Sequence, residues 1–468
     1  MRQGCAEHER LVGLSRRELL RAGALPLFGM GLNSFLGANP AISVPARKAK
    51  ACIVLFMWGG PAHQDTWDPK PDAPAQYRGE FKTIATKLPG VRVCEHLPMM
   101  AERMDKVTLI RSMTHPDVNH TTAPHYLLTG RAMARNGQPI EEDFPSIGSI
   151  LAQKGYGKGP LPPFVSMMPV SPDNAPRFVE STHGQGAGWL GPVWQPLRIT
   201  ANPAAPDYRV ADFALHADLN MGRIDDRKTL LSNLDTQKKA LEVAAEKAAS
   251  EGNYRRAFDL LATPEASKAF DLSHEPAAVR ERYGRHIHGQ TVLQARRLVE
   301  AGVPLVTVFW PNDGITNVSV YWDTHSRNFI DLKTRLCPPA DQAFSALLDD
   351  LEIRGMLDET LVVWTGEMGR TPRVGQSVPG GAGAGRDGRD HWSKVFCSVL
   401  AGAGIRKGYV HGSSDRYAAE PSTNPVRPAD LAATIYEQLG VPASSLITDK
   451  IGRDIPLCEG ESISSLLA

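Results

Sequence analysis

Short apolar runs recur along the chain, each closed by glycine, proline or polar residues. They cover residues 51–57, 107–110, 164–168, 303–310, 360–365 and 395–400. Continuous apolar runs of this length are typical of strands that are buried on both faces of a parallel sheet. We therefore predict that these segments form a central sheet.

Segments with helical spacing of apolar and charged residues lie between these runs. They are residues 98–106, 225–300, 341–354 and 430–439. Strands that alternate with helices predict an α/β domain whose mostly parallel central sheet carries helices on both faces. The long helical block interrupts the alternation, so we interpret residues of about 210–300 as a helical insertion. Residues 160–206 are rich in proline and glycine and are interpreted as surface loops.

Composition narrows the class of protein. The chain has 468 residues, which suits one large domain, and 42% of them are hydrophobic. Its 52 lysines and arginines balance 51 acidic residues, so no basic excess favours nucleic-acid binding. The six cysteines form no C-x-x-C pair, which argues against a zinc ribbon.

The first part of the chain has the pattern of an export signal. Residues 15–20, SRRELL, contain Arg16 and Arg17 and resemble the twin-arginine signal. A moderately apolar run and small residues up to Ala46 follow, so we assign 1–46 to signal and linker and 47–468 to the folded domain. The run is too short and too interrupted for a stable transmembrane span. This predicts a periplasmic or extracellular protein that uses the twin-arginine translocase. A cytosolic amphipathic helix, or an uncleaved anchor, is the alternative.

Polar residues cluster directly after the predicted strands and before the last one. Ligands of α/β sheets bind beyond the carboxyl ends of the strands, so these positions are candidates for one shared site. In chain order they include His63, Asp65, Asn119, His120, Thr121, Asp323, His325, Glu367, Arg370, Asp390 and His391.

Two aspartate–histidine pairs stand out. Asp323 and His325 are two residues apart and lie on one side of an extended segment, while Asp390 and His391 are adjacent. Carboxylate with imidazole suits zinc, manganese or iron, and oxygen-rich sites suit magnesium or calcium. A structural hydrogen bond within each pair is the alternative.

Several longer stretches resemble one bacterial family. They are LVVWTGEMGRTP, GRDHW, IRSMTH, GGPAHQDTWDPKP, YGRHIHGQTVLQARRLVEAGVPLVTV and DLAATIYEQLGV. The resemblance covers nearly all of the chain after Ala51. It is to the domain of unknown function 1501, which is placed in the alkaline phosphatase–sulfatase superfamily.

The resemblance implies a metal at the strand ends and a nucleophile that opens a helix. Residues 127–131, LLTGR, match the end of the sulfatase nucleophile motif, and counting back reaches His120 and Thr121. The cysteine or serine of sulfatases is absent there. We therefore assign catalytic roles to Thr121, His120 and Arg370. An N-cap role is the alternative for the threonine, and structural salt bridges are the alternative for the arginines.

Binding roles follow from the same resemblance. We expect a divalent metal, either zinc, manganese, magnesium or calcium, on Asp323, His325, Glu367, Asp390, His391 and Asp65. Substrate contacts are expected from Arg131, Asn119 and His63.

The leading hypothesis is an exported metal-dependent hydrolase of sulfate or phosphate esters, acting on a small molecule or a polysaccharide. The alternative is a catalytically silent exported binding protein on the same fold.

Overall fold

Eight strands form one sheet at the centre of the domain. In the computed structural model the described residues are 48–135, 137–157, 159, 161–168, 181–208, 264–312, 320–379 and 381–468. All of them belong to one compact unit, Ala46–Ala468. The arginine pair and residues 209–263 of the expected insertion lie outside the described residues.

The strands are numbered in chain order. They are β1 (Ala51–Phe56), β2 (Thr83–Ala85), β3 (Arg92–Cys94), β4 (Val107–Met113), β5 (Phe164–Met167), β6 (Leu197–Ile199), β7 (Leu305–Phe309), β8 (Thr360–Thr365), β9 (Gly369–Arg370), β10 (His391–Trp392), β11 (Phe396–Ala401), β12 (Tyr409–His411), β13 (Ser413–Ser414), β14 (Pro421–Thr423), β15 (Leu446–Thr448) and β16 (Asp454–Pro456). The central sheet has the order β12-β4-β11-β8-β1-β7-β5-β6. The remaining strands form two-stranded ladders.

One strand of the central sheet runs against the others. β1 pairs in parallel with β7 and β8, whereas β11 pairs antiparallel with β8 and β4. The start of β11 therefore lies at the same edge as the carboxyl ends of its neighbours. Residues that precede β11 meet residues that follow β4, β7 and β8, which is how distant parts of the chain come together.

Ten α-helices are found among the described residues. They are α1 (Ala75–Arg78), α2 (Pro98–Ala101), α3 (Ala123–Thr129), α4 (Ile147–Gln153), α5 (Pro264–Phe270), α6 (Ala277–Tyr283), α7 (Ile287–Glu300), α8 (Asn328–Asp331), α9 (Cys337–Ile353) and α10 (Pro428–Gln438). Within this part of the chain, none is long and apolar enough to cross a bilayer.

The predicted fold class is confirmed: the sheet is mostly parallel and helices cover it. All six apolar runs contain a strand of the central sheet, and β1 in its middle is buried along its whole length. Mostly apolar sequences form these strands because neighbouring strands and covering helices leave little of their surface in contact with water.

Residues 160–206 differ from the surface loops expected for them. They contain β5 and β6, and residues 182–188 are buried. Strand β6 is three residues long and carries a charged side chain, so it gives no apolar signal. The described part of this segment is therefore partly in the sheet and partly buried.

A buried arginine ties the helices of one face together. Arg296 on α7 is fully buried and contacts Glu275 at 2.7 Å, Asp350 at 2.9 Å and Glu300 at 2.5 Å. Glu275 and Asp350 are themselves buried, and each has a second partner, Arg297 at 2.5 Å and Arg354 at 2.8 Å respectively. Arg296 is the residue that joins the two carboxylates in one network.

We expect Arg296→Met to lower the free energy of unfolding by about 2 kcal/mol, since the two buried carboxylates lose their shared partner and keep only Arg297 and Arg354. Urea denaturation would measure the change. Arg285→Ala is the control, because its pair with Glu281 is exposed and worth about 0.5 kcal/mol. Equal losses in both variants would contradict the structural role of Arg296.

Candidate metal centre

Four side chains from three separate segments converge at the carboxyl edge of the sheet. His120, Asp323, His325 and His391 each offer a ligand atom, and these atoms all lie within 4.8 Å of one another. His120 lies between β4 and α3, Asp323 and His325 follow β7, and His391 lies in β10 just before β11. The strand-end pattern in the sequence therefore marks groups that do meet.

The centre of the cluster is one carboxylate oxygen, Oδ1 of Asp323. It lies 2.8 Å from Nε2 of His325, 3.2 Å from Nε2 of His120 and 3.4 Å from Nε2 of His391. The Nε2 atoms of His325 and His391 are 2.9 Å apart. All three rings thus turn the same nitrogen toward one point.

The outer nitrogens of two rings have acceptors of their own. Nδ1 of His120 lies 2.6 Å from Glu367 Oε1, and Nδ1 of His325 lies 2.6 Å from the carbonyl oxygen of Gly383. Each Nδ1 therefore donates, and in the neutral ring Nε2 is left as a lone pair that faces the carboxylate. Lone pairs that converge on a carboxylate are a donor set for a cation, so the residues present fit a divalent metal.

Two further carboxylates support the rings from behind. Glu367 accepts from His120 and also from the amide of Gly59 at 2.8 Å. Asp390 Oδ1 lies 3.4 Å from His325 Nδ1, and its Oδ2 accepts from the amide of Val378 at 2.9 Å. A carboxylate on the far nitrogen of a ligating histidine fixes the tautomer and the ring orientation. Their positions suit this supporting role better than the direct ligation expected for both.

Arg370 lies beneath the cluster and not at its mouth. Its side chain is fully buried, and it contacts Asp323 Oδ1 and the carbonyl oxygens of Gly59 and Gly60. A guanidinium in that position reaches no substrate directly. The catalytic contact with an anionic group that we expected from Arg370 is not favoured by this geometry.

Neighbouring charges and burial shift the pKa values of two of the rings in opposite directions. Burial alone would lower the pKa of His120, but Asp323 and Glu367 outweigh it and raise that pKa to about 9. Burial lowers the pKa of His391 to about 4. Burial would likewise raise the pKa of Asp323, yet Arg370 and His120 hold it well below its ordinary value.

Asp65 and His63 lie in other contacts. The carboxylate of Asp65 pairs with Arg389 at 2.6 Å, and both side chains are fully buried. His63 is bonded through Nε2 to the carbonyl oxygen of Ala418 at 2.9 Å. Neither belongs to the cluster, so a metal role for Asp65 and a substrate role for His63 have no support from their positions.

The remaining candidates lie near α3. Thr121 donates its hydroxyl to Asn119 Oδ1 at 2.8 Å, and it is Thr122 that stands at the N-cap of α3. Arg131 pairs with Glu459 at 2.8 Å. The structure thus keeps Asn119 and Thr121 next to His120 but gives Arg131 the structural ion pair that the sequence left open.

Sequence reasoning missed two parts of this neighbourhood. His120 was taken as part of the nucleophile region, although the same strand-end rule could have marked it as a ligand. The dyad of Asp143 and His183, 2.7 Å apart, was not noticed, and the amide of His183 donates to the carbonyl oxygen of Thr121 at 2.9 Å. Its residues lie in loops without an apolar strand before them, so no sequence signal marked them.

Metal binding at neutral pH should release about one proton from these two rings, because His120 is protonated there, His391 is not, and ligation needs the lone pair. Affinity for the metal should accordingly rise with pH up to about 9. Calorimetric titration of the metal-free protein in buffers of different ionisation enthalpy measures the release. His120→Asn is expected to release one proton fewer, and an unchanged value would contradict the assignment.

Comparison with known proteins gives the family but not the activity. No curated protein is significantly similar in sequence. Among solved structures, a protein of the alkaline phosphatase superfamily from Vibrio parahaemolyticus has 12% identity and a TM-score of 0.41, covering 97% of this chain and 80% of its own. A sulfatase from Pseudoalteromonas sp. has 15% identity and a TM-score of 0.40, and the match covers 97% of this chain and 77% of the sulfatase.

A phosphonate monoester hydrolase from Silicibacter pomeroyi has 13% identity and a TM-score of 0.39, covering 90% of this chain and 76% of its own. Likenesses of this size carry no argument about chemistry. The sequence match is stronger: the family model described as Protein of unknown function (DUF1501) covers residues 49–467, and the chain belongs to that family.

Proposed function

We propose that this protein is an exported metal-dependent hydrolase of sulfate or phosphate esters. The observation that carries the proposal is the convergence of three imidazole nitrogens on one buried carboxylate. The ester class comes from the sequence resemblance to the alkaline phosphatase–sulfatase superfamily. Export by the twin-arginine route, with a periplasmic or extracellular location, is proposed on the pattern around Arg16 and Arg17.

His120, Asp323, His325 and His391 would hold the metal. Three imidazoles and one carboxylate favour zinc or manganese over magnesium and calcium, which prefer oxygen ligands. When bound, such a metal supplies a Lewis acid for the ester oxygen and lowers the pKa of bound water. Glu367 and Asp390 would keep the rings oriented.

The attacking group is either the hydroxyl of Thr121 or a water molecule. Thr121 adjoins His120, and its hydroxyl hydrogen is already directed at Asn119 Oδ1. Asn119 would then hold that hydrogen while the oxygen faces the substrate. An amide oxygen accepts a hydrogen bond but does not take up a proton, so the proton would pass to solvent water, and a nearby cation would assist this by lowering the pKa of the hydroxyl.

A catalytically silent binding protein is the second candidate. It is favoured by the two arginines considered for the substrate anion: Arg370 is fully buried and Arg131 pairs with Glu459. A neutral or weakly charged ligand would suit such a pocket. The two candidates differ in turnover and agree on metal binding.

Asp323→Asn and His391→Ala should each lose bound metal and lower ester hydrolysis by about a hundredfold or more, because each removes a ligand of the cation. Elemental analysis and assays with aryl sulfate and aryl phosphate esters would measure both effects. His274→Ala is the control, since that ring is half exposed, pairs with Asp271 and does not belong to the cluster. If both variants retained metal and activity, the assignment of Asp323 and His391 as metal ligands would be wrong.

Thr121→Ala distinguishes the two nucleophiles. If the threonine attacks, this variant should lose about a thousandfold in turnover while it keeps the metal, and Thr121→Ser should retain most activity. If Thr121→Ala stays active, water is the nucleophile. Metal content of all three proteins, measured in parallel, shows whether the centre is intact.

A further inference from the structure

Arg370 places a buried positive charge next to the candidate metal centre. No part of the residue is exposed. Its Nη2 contacts Oδ1 of Asp323, the oxygen on which the three imidazoles converge. Asp323 is therefore shared between a permanent positive charge and the place where a metal would bind.

A turn of two glycines fixes the guanidinium. Nε of Arg370 donates to the carbonyl oxygen of Gly60 at 2.9 Å, and Nη2 donates to that of Gly59. Both glycines have a positive φ, and a Cβ on Gly59 would lie 2.3 Å from the amide nitrogen of Asp323. The same turn thus accepts hydrogen bonds from the arginine and lies against the backbone of its carboxylate partner.

The charges of the centre add up to the charge of one divalent ion. Three carboxylates belong to it, those of Asp323, Glu367 and Asp390, and Arg370 supplies one positive charge. With neutral histidines the sum is minus two. One divalent cation neutralises this, whereas a second would leave two uncompensated positive charges among side chains that are at most about one-tenth exposed. Uncompensated charge in such surroundings is strongly unfavourable.

We propose that Arg370 is the permanent second cation of this centre, and that the centre holds one divalent ion and not two. The inference rests on the metal ion of the proposed function. Arg370 then acts through Asp323, as a positioning and charge-balancing residue.

The test uses the full chain, freed of metal by a chelator and titrated with Mn²⁺. We expect one tightly bound equivalent, with the electron paramagnetic resonance spectrum of an isolated ion. Two tight equivalents with a spin-coupled spectrum would overturn the inference. Absence of any binding would overturn it together with the proposed metal site. One bound ion without ester turnover would support the inference and count against the hydrolase only.

Two variants separate the charge of Arg370 from its place in the packing. Arg370→Lys keeps the charge, and Arg370→Met removes it from a side chain of comparable length. Removal of a like charge beside the ion should tighten Mn²⁺ binding in Arg370→Met by about tenfold or more relative to Arg370→Lys. Equal or weaker binding would show that the arginine only holds Asp323 in place. If the methionine variant does not fold, the number of Mn²⁺ ions bound by the unaltered chain still tests whether the centre holds one ion or two.

Discussion

A single carboxylate oxygen organises the candidate site. Oδ1 of Asp323 faces three imidazole nitrogens and one guanidinium. These groups come from three connections of the chain, those that follow β4, β7 and β8. Attraction to that oxygen offsets the free-energy cost of desolvating the polar groups around it. Without this attraction, their burial would be strongly unfavourable. The supporting carboxylates and the glycine turn are arranged around the same atom.

The sheet explains how such distant residues reach one point. Parallel strands deliver the segments after β4, β7 and β8 to a common edge. Strand β11 runs the opposite way, so it brings in the residues that come before it. His391 and Asp390 could not join the site if β11 were parallel to its neighbours, because they would then lie at the far edge. One reversed strand therefore completes the cluster.

Much of this could be predicted from sequence, for identifiable reasons. The apolar runs give the strands because burial on both faces excludes polar residues, and the polar clusters after them give Asp323, His325 and Glu367 as candidates. The direction of β11 left no trace in its composition, yet His391 was found because the residues just before the last strand were considered as well. Short β6 was missed since it gives no apolar signal.

The positions of the individual side chains within the site were not predictable from the sequence. Glu367 and Asp390 have the chemistry of ligands, and only distances show that they stand behind His120 and His325. Arg370 has the chemistry of an anion-binding residue, and only its burial shows that it faces Asp323. Asp65 was a candidate for the same reason, but Arg389, whose position no pattern revealed, lies against it. Residue type gives the possible roles, and packing selects among them.

The glycine turn at the end of β1 has a consequence for the comparison of related chains. A side chain at Gly59 would strike the amide of Asp323, and one at Gly60 would lie 2.7 Å from the carbonyl oxygen of Met368. Neither collision can be relieved by rotating a side chain, because both partners are main-chain atoms. A relative that carries a bulkier residue at either position must differ in backbone here, even if all four side chains of the cluster are retained. The two glycines are therefore a marker of this architecture that is independent of the ligands themselves.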